Sequence, residues 1–153
     1  FQANAVNADG TLFAIGDGGA DGGRIMVFDA QTAEQVFKID TAAPVTTLAF
    51  DDQAGELVTG LFTGELLTVD VAAGEVVSNV AISTTSTIAA IGLRPDGLVV
   101  VYSGDVAELV DRRTGPTGAS ITMRNAAAAD IQPDGTITTV STAQEFVLYE
   151  FDE

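Results

Sequence analysis

One aspartate recurs down this chain at a fixed step. Asp29, Asp70, Asp111 and Asp152 are each 41 residues apart. The residue before each is apolar: Phe28, Val69, Val110 and Phe151. Four places before each stand Ile25, Leu66, Ala107 and Leu148. Shortly after the first three come Thr32-Ala33, Ala73-Gly74 and Thr114-Gly115. Four copies in one register mean a stacked-repeat architecture, in which each unit buries its apolar faces only against its neighbours.

Each period reads as four short strands, a to d. In the first, residues 3–9 enter an Asp9-Gly10 turn, a strong hairpin signal because glycine supplies φ > 0. Thr11 to Ile15 is strand b, and Gly16 to Gly23 reads as a glycine-rich loop. Arg24 to Asp29 is c and Glu34 to Ile39 is d. The later periods repeat this, with turns at Asp51 to Gly55, Pro95-Asp96-Gly97 and Pro133-Asp134-Gly135, and with strand d of the third at Ala119 to Met123. Ala126 to Ala129 favours helix on propensity alone, but its column mates Val45 to Leu48 and Ile88 to Ile91 are strand-like, so strand is expected. Runs such as Leu98-Val99-Val100-Val101 are apolar on both faces, as in a sheet covered on both sides.

The expectation is therefore an all-β chain, a β-propeller of four-stranded antiparallel blades at about 1–41, 42–82, 83–123 and 124–153. The chain falls short of four full periods, and the fourth blade lacks its last strand. Bare sheets invite pairing. The segment is thus expected to belong to a larger or dimeric propeller, either by self-association into an eight-blade ring or through blades from a longer chain.

Composition narrows the partners. A formal net charge of −16, with six Lys and Arg in all, leaves no basic cluster for phosphate backbones, so neither nucleic acid nor a membrane surface is expected as a partner. No cysteine and no run of 18 apolar residues point to a cytoplasmic protein. With no His or Cys the commonest general base and the thiol nucleophile are missing, and no nucleotide-binding or nucleophile-elbow motif occurs. No catalytic residue and no enzyme activity are expected.

These turns and strand endings, Pro95-Asp96-Gly97, Pro133-Asp134-Gly135, Val27-Phe28-Asp29 and Thr68-Val69-Asp70, resemble those of the WD40-like and YVTN-like β-propeller families. The resemblance spans the whole chain. It departs from standard WD40 repeats in having no Trp and no His, and without a docking Trp no quinone cofactor is assigned. It implies a bacterial, non-enzymatic scaffold for protein–protein interaction. The alternative is a ligand-sensing or regulatory domain of a larger bacterial signalling protein. By resemblance the interaction face is built from b–c and d–a loops: Asp17, Asp21, Arg24, Asp40, Thr41, Ser83, Thr85, Thr87, Ser103, Asp105, Arg124 and Asn125.

Three clusters have plainer readings beside the functional ones. The aspartate column is expected to accept hydrogen bonds from turn amides rather than to bind metal. Asp17 and Asp21 are the residues that would offer carboxylates to Ca²⁺, but EF-hand spacing is absent, and no metal or cofactor is expected. Arg112-Arg113, the one basic pair, is expected to balance acidic neighbours rather than to grip a ligand.

Overall fold

In the computed structural model, residues 2–82, 87–123, 126–132, 136–141 and 146–151 are described. They form strands and turns without a helix, so none is long and apolar enough to cross a membrane. The Pro133 to Gly135 turn, Ser83 to Ser86, Arg124, Asn125 and Asp152 lie outside the described residues.

Sheet one contains β1 (Gln2–Val6), β2 (Leu12–Gly19), β3 (Gly22–Asp29) and β4 (Gln35–Thr41). Sheet two contains β5 (Val45–Asp51), β6 (Glu56–Leu61), β7 (Glu65–Asp70) and β8 (Glu75–Ala81). Sheet three contains β9 (Ile88–Leu93), β10 (Leu98–Ser103), β11 (Val106–Asp111) and β12 (Gly115–Thr122). The fourth has three strands: β13 (Ala126–Ile131), β14 (Ile137–Ser141) and β15 (Phe146–Tyr149). Every sheet is an antiparallel meander in chain order.

The sheets stack in sequence, with an apolar layer between each pair. Ile25 and Val27 of sheet one meet Leu57, Leu67 and Val69 of sheet two. Val58 and Leu66 on the other face of sheet two meet Ile88, Val99 and Val110. Val100, Tyr102 and Ala107 of sheet three meet Ile137, Ala129 and Tyr149. Sheets two and three are thus covered on both faces, which is why their central strands are apolar on both sides.

The first strands carry much of the contact between sheets, β1 against β5, β5 against β9 and β9 against β13. The last strands β4, β8 and β12 are largely exposed. Thr46 Oγ1 on β5 lies within hydrogen-bond reach of Gly60 O, at 3.0 Å, and of Ile88 O on β9, at 2.6 Å. A Cβ on Gly60 would stand 2.6 Å from Thr47 Cγ2 and 2.7 Å from Ile88 Cγ2. Only a missing side chain lets β9 approach that closely.

The three described members of the aspartate column form the turns expected of them. Asp29 Oδ1 accepts from the Gln31 and Thr32 amides at 2.9 and 2.8 Å. Asp70 Oδ1 accepts from the Ala73 amide at 2.8 Å, and Asp111 Oδ1 from the Arg113 and Thr114 amides at 2.7 and 2.9 Å. Four residues beyond each aspartate the backbone turns left-handed: Ala33 at φ 58°, Gly74 at 68° and Gly115 at 98°. Glycine adopts that conformation freely, whereas Ala33 holds it at a steric cost.

Two local expectations are corrected. Gly16 to Gly23 is not a long loop: β2 runs to Gly19, β3 starts at Gly22, and only Ala20-Asp21 turns. Gly18 and Gly23 are there for space, since a Cβ on Gly18 would sit 2.5 Å from Pro44 Cα and one on Gly23 2.7 Å from Ala43 O, while Gly22 holds φ 115°. The β12 strand begins at Gly115 rather than Ala119, its pairing with β11 resuming across an irregularity between Glu108 and Val110.

Candidate interaction face

The β2–β3, β6–β7 and β10–β11 turns and the β4–β5 connection share one end of the sheet stack, because every sheet is the same meander. At the β2–β3 hairpin, pairing puts Asp17 opposite Arg24, Arg24 opposite Asp40, and Gly23 opposite Thr41. Five of the residues expected to act together, Asp17, Asp21, Arg24, Asp40 and Thr41, line one open hollow of about 540 Å³. Arg24 binds Asp17 through both carboxylate oxygens, Nε to Oδ1 at 3.1 Å and Nη2 to Oδ2 at 2.6 Å. That bond holds the Asp17 carboxyl below the usual range and raises the Arg24 guanidinium. Both Asp17 oxygens are thus engaged by Arg24. Among the described residues no three acidic side chains converge at metal-binding distance. Lys38 Nζ lies 2.8 Å from Asp40, and Thr41 Oγ1 donates to Ala43 O at 2.8 Å.

Across the hairpin lies a second hollow of about 540 Å³, lined by Gly18, Gly19 and Gly22 and by Ala42, Ala43, Pro44, Phe62 and Thr63. Phe62 is 44% exposed, unusual for so large an apolar ring. Phe62 directly follows the strand-like run Glu56 to Leu61, and nothing in the repeat marks it out. An aromatic residue directly before a Thr63-Gly64 turn was the available signal.

Of the remaining expected residues, the described ones, Thr87, Ser103 and Asp105, do not line these hollows. Ser103 Oγ donates to Thr87 O at 3.1 Å, and Asp105 O accepts from the Met123 amide at 2.6 Å, both within sheet three and its connections. Burial, with the Asp105 charge second, raises the Tyr102 hydroxyl. Ser83, Thr85, Arg124 and Asn125 are outside the described residues.

At the other end, the basic pair closes a junction between sheets. Arg112 Nη1, on the β11–β12 turn, lies 2.8 Å from Asp51 Oδ2 and 3.0 Å from Glu56 Oε2, both on sheet two. Arg113 pairs with the second oxygen of Glu56. Ser78 Oγ on β8 donates to Arg112 O at 2.5 Å. Arg112 also lines a hollow of about 600 Å³ with Arg94, Asp51, Asp52 and Asp96. Arg94 is taken by Asp96, at 2.9 Å, and holds the Asp96 carboxyl below its usual range.

Neither models of known protein families nor the curated proteins give a match to this chain.

Proposed function

We propose that the four stacked sheets are blades of a β-propeller, and that the chain is a non-enzymatic protein-interaction module. The observation that carries this reading is the pair of adjoining hollows at the β2–β3 hairpin. One is bordered by Asp17, Asp21 and Asp40, and the other by Phe62 and Pro44. A peptide presenting a Lys or Arg beside an apolar side chain matches both at once, with the aromatic ring as anchor and the carboxylates as orienting charges. The backbone beneath is two hairpins and a proline connection, so little ordering is needed on binding.

A ligand-sensing domain is the second reading. It is favoured by the hollow beneath Arg94 and Arg112, whose size suits a small molecule. It ranks lower because both guanidiniums are already engaged by carboxylates.

Fluorescence anisotropy against a library of basic–apolar peptides tests the first reading. Binding should weaken at least about tenfold in Phe62→Ala, the cost of losing an aromatic anchor. It should weaken less in Asp21→Asn, with a loss that disappears in high salt. No peptide binding, together with a metabolite that raises the melting temperature, would favour the sensing domain instead.

A further inference from the structure

Each of the first three sheets ends in an edge that runs along the outside of the stack. β4, β8 and β12 are the last strands of these sheets, so one side of each has no neighbouring strand. A bare row of amides and carbonyls is a template for a further strand unless it is blunted. Two of the edges are blunted. Lys38 sits at the middle of β4 and pairs with Asp40 at 2.8 Å. β12 carries Pro116, and Gly118 at φ 91°, in an irregular stretch. β8 has neither device: after Glu75 it reads Val-Val-Ser-Asn-Val-Ala, without proline, glycine or charge. An extra residue bulges at Val36 in β4 and at Val77 in β8, the same place in the repeat, so the bulge does not separate these two.

The hydrogen-bond pattern says which groups β8 offers. The Ile82 amide donates to Gly64 O at 3.1 Å, continuing the pairing of Glu65 with Ala81. Backbone direction alternates along an antiparallel strand. Val80 and Ser78 therefore turn to β7, while Asn79 and Ala81 turn amide and carbonyl outward. Charge says what would fit them. From Ala42 to Ile82 there are Asp51, Asp52, Glu56, Glu65, Asp70 and Glu75, and no Lys or Arg. Arg112 and Arg113 of sheet three meet Asp51 and Glu56. Glu75 begins β8, and Glu65 stands opposite its last residue, Ala81. Among the described residues neither of these two is in an ion pair. They bracket the edge, roughly 17 Å of strand apart.

We propose that β8 is a docking edge for an extended basic segment of a partner protein, which adds a fifth strand to sheet two. Its backbone pairs with Asn79 and Ala81. A Lys or Arg near each end meets Glu65 and Glu75, and apolar side chains between them cover Val76 and Val77, 43% and 47% exposed. The edge lies along the side of the stack, so sheets added at either end would leave it open. A second copy is a poor occupant, since each chain carries −16 and β8 brings no cation to meet Glu65 or Glu75.

This surface is separate from the hairpin hollows, and its test fails or succeeds without them. The probe is an end-blocked peptide, Lys-Thr-Val-Thr-Val-Thr-Lys, titrated at low salt. Hydrogen exchange followed by NMR should show the Asn79 and Ala81 amides exchanging fast in the free chain and protected with peptide, and Ser78 and Val80 protected in both. N-methylating the alternate peptide residues that face β8 should weaken binding at least about tenfold, the loss of two hydrogen bonds. Methylating the other alternate set should leave it unchanged. Glu75→Gln should weaken binding at low salt and not at roughly 1 M. Phe62→Ala should leave it unaltered. No binding at millimolar peptide, no protection of Asn79 and Ala81, indifference to both methylation patterns, or loss of binding in Phe62→Ala would each overturn the proposal. So would protection of these amides in the free chain as its concentration rises, which would make the occupant a second copy.

Discussion

Gly60→Ala probes the approach of sheet two to sheet three. The added methyl would stand 2.6 Å from Thr47 Cγ2, 2.7 Å from Ile88 Cγ2 and 3.0 Å from Ile88 Cβ. Gly60 and Ile88 are buried, so the methyl cannot swing into solvent. Overpacking a core typically costs about 1–3 kcal/mol. Alanine returns about 0.4–1 kcal/mol by restricting the unfolded chain, as Gly60 does not need a positive φ. The net loss should be about 1–2 kcal/mol, or roughly 3–8 °C in melting temperature for a chain of this size. Ile88→Ala alone opens a cavity and should cost roughly 2–5 kcal/mol. It also removes one of the two methyls that Gly60→Ala strikes. The double variant should therefore cost less than the two losses added, by about 1 kcal/mol, in urea unfolding followed by circular dichroism. A neutral or stabilising Gly60→Ala, with additive energies in the double variant, would show that the two sheets do not meet at this spacing.

Other outcomes follow from the same geometry. Ala33→Gly should raise stability by about 1 kcal/mol, because Ala33 holds the left-handed backbone that Gly74 and Gly115 hold in the next repeats; calorimetry reads this. Thr68→Val should also stabilise, by about 1 kcal/mol in urea unfolding, since the buried Thr68 hydroxyl finds no acceptor and the equivalent residue in sheet one is Val27. Arg112→Ala should cost about 2–4 kcal/mol by stranding Asp51 and leaving Glu56 with Arg113 alone, whereas half-exposed Arg113→Ala should cost under about 1 kcal/mol. Asp29 and Asp111 have carboxyls lowered mainly by turn amides, Thr32 and Gln31 for the first, Arg113 and Thr114 for the second. Below about pH 4 the unfolded chain binds more protons at these sites, so their stabilisation is present above that pH and is lost as pH falls through the depressed values. An unfolding midpoint that does not fall on acidification, or falls equally in Asp29→Asn, would contradict that account.

Much of the fold was legible because the repeat is written in residues whose chemistry is local. An Asp ending a strand, followed by a turn, needs only its own next few amides, and three described copies make that bond. The unbroken apolar run Leu98 to Val101 in β10 signals two covered faces from the sequence alone. The β2–β3 stretch misled because glycine marks both flexible turns and tight contacts. Here Pro44 and Ala43, distant in sequence, press on Gly18 and Gly23 and make the second cause operate.

The candidate site divides along the same line. Asp17, Asp21, Arg24, Asp40 and Thr41 could be grouped from sequence because the register of one sheet brings them together. Phe62 could not, because it reaches the hairpin from the next sheet.

By itself, then, the sequence determined the strand order within each sheet, the turns and the period, all interactions over short chain distances. Tertiary structure alone decided the partners of Arg112 and Arg113, which cross to another sheet. It also decided which apolar faces are covered. Ile25 and Leu148 occupy the same place in the repeat, and only the presence or absence of a following sheet makes one core and the other surface.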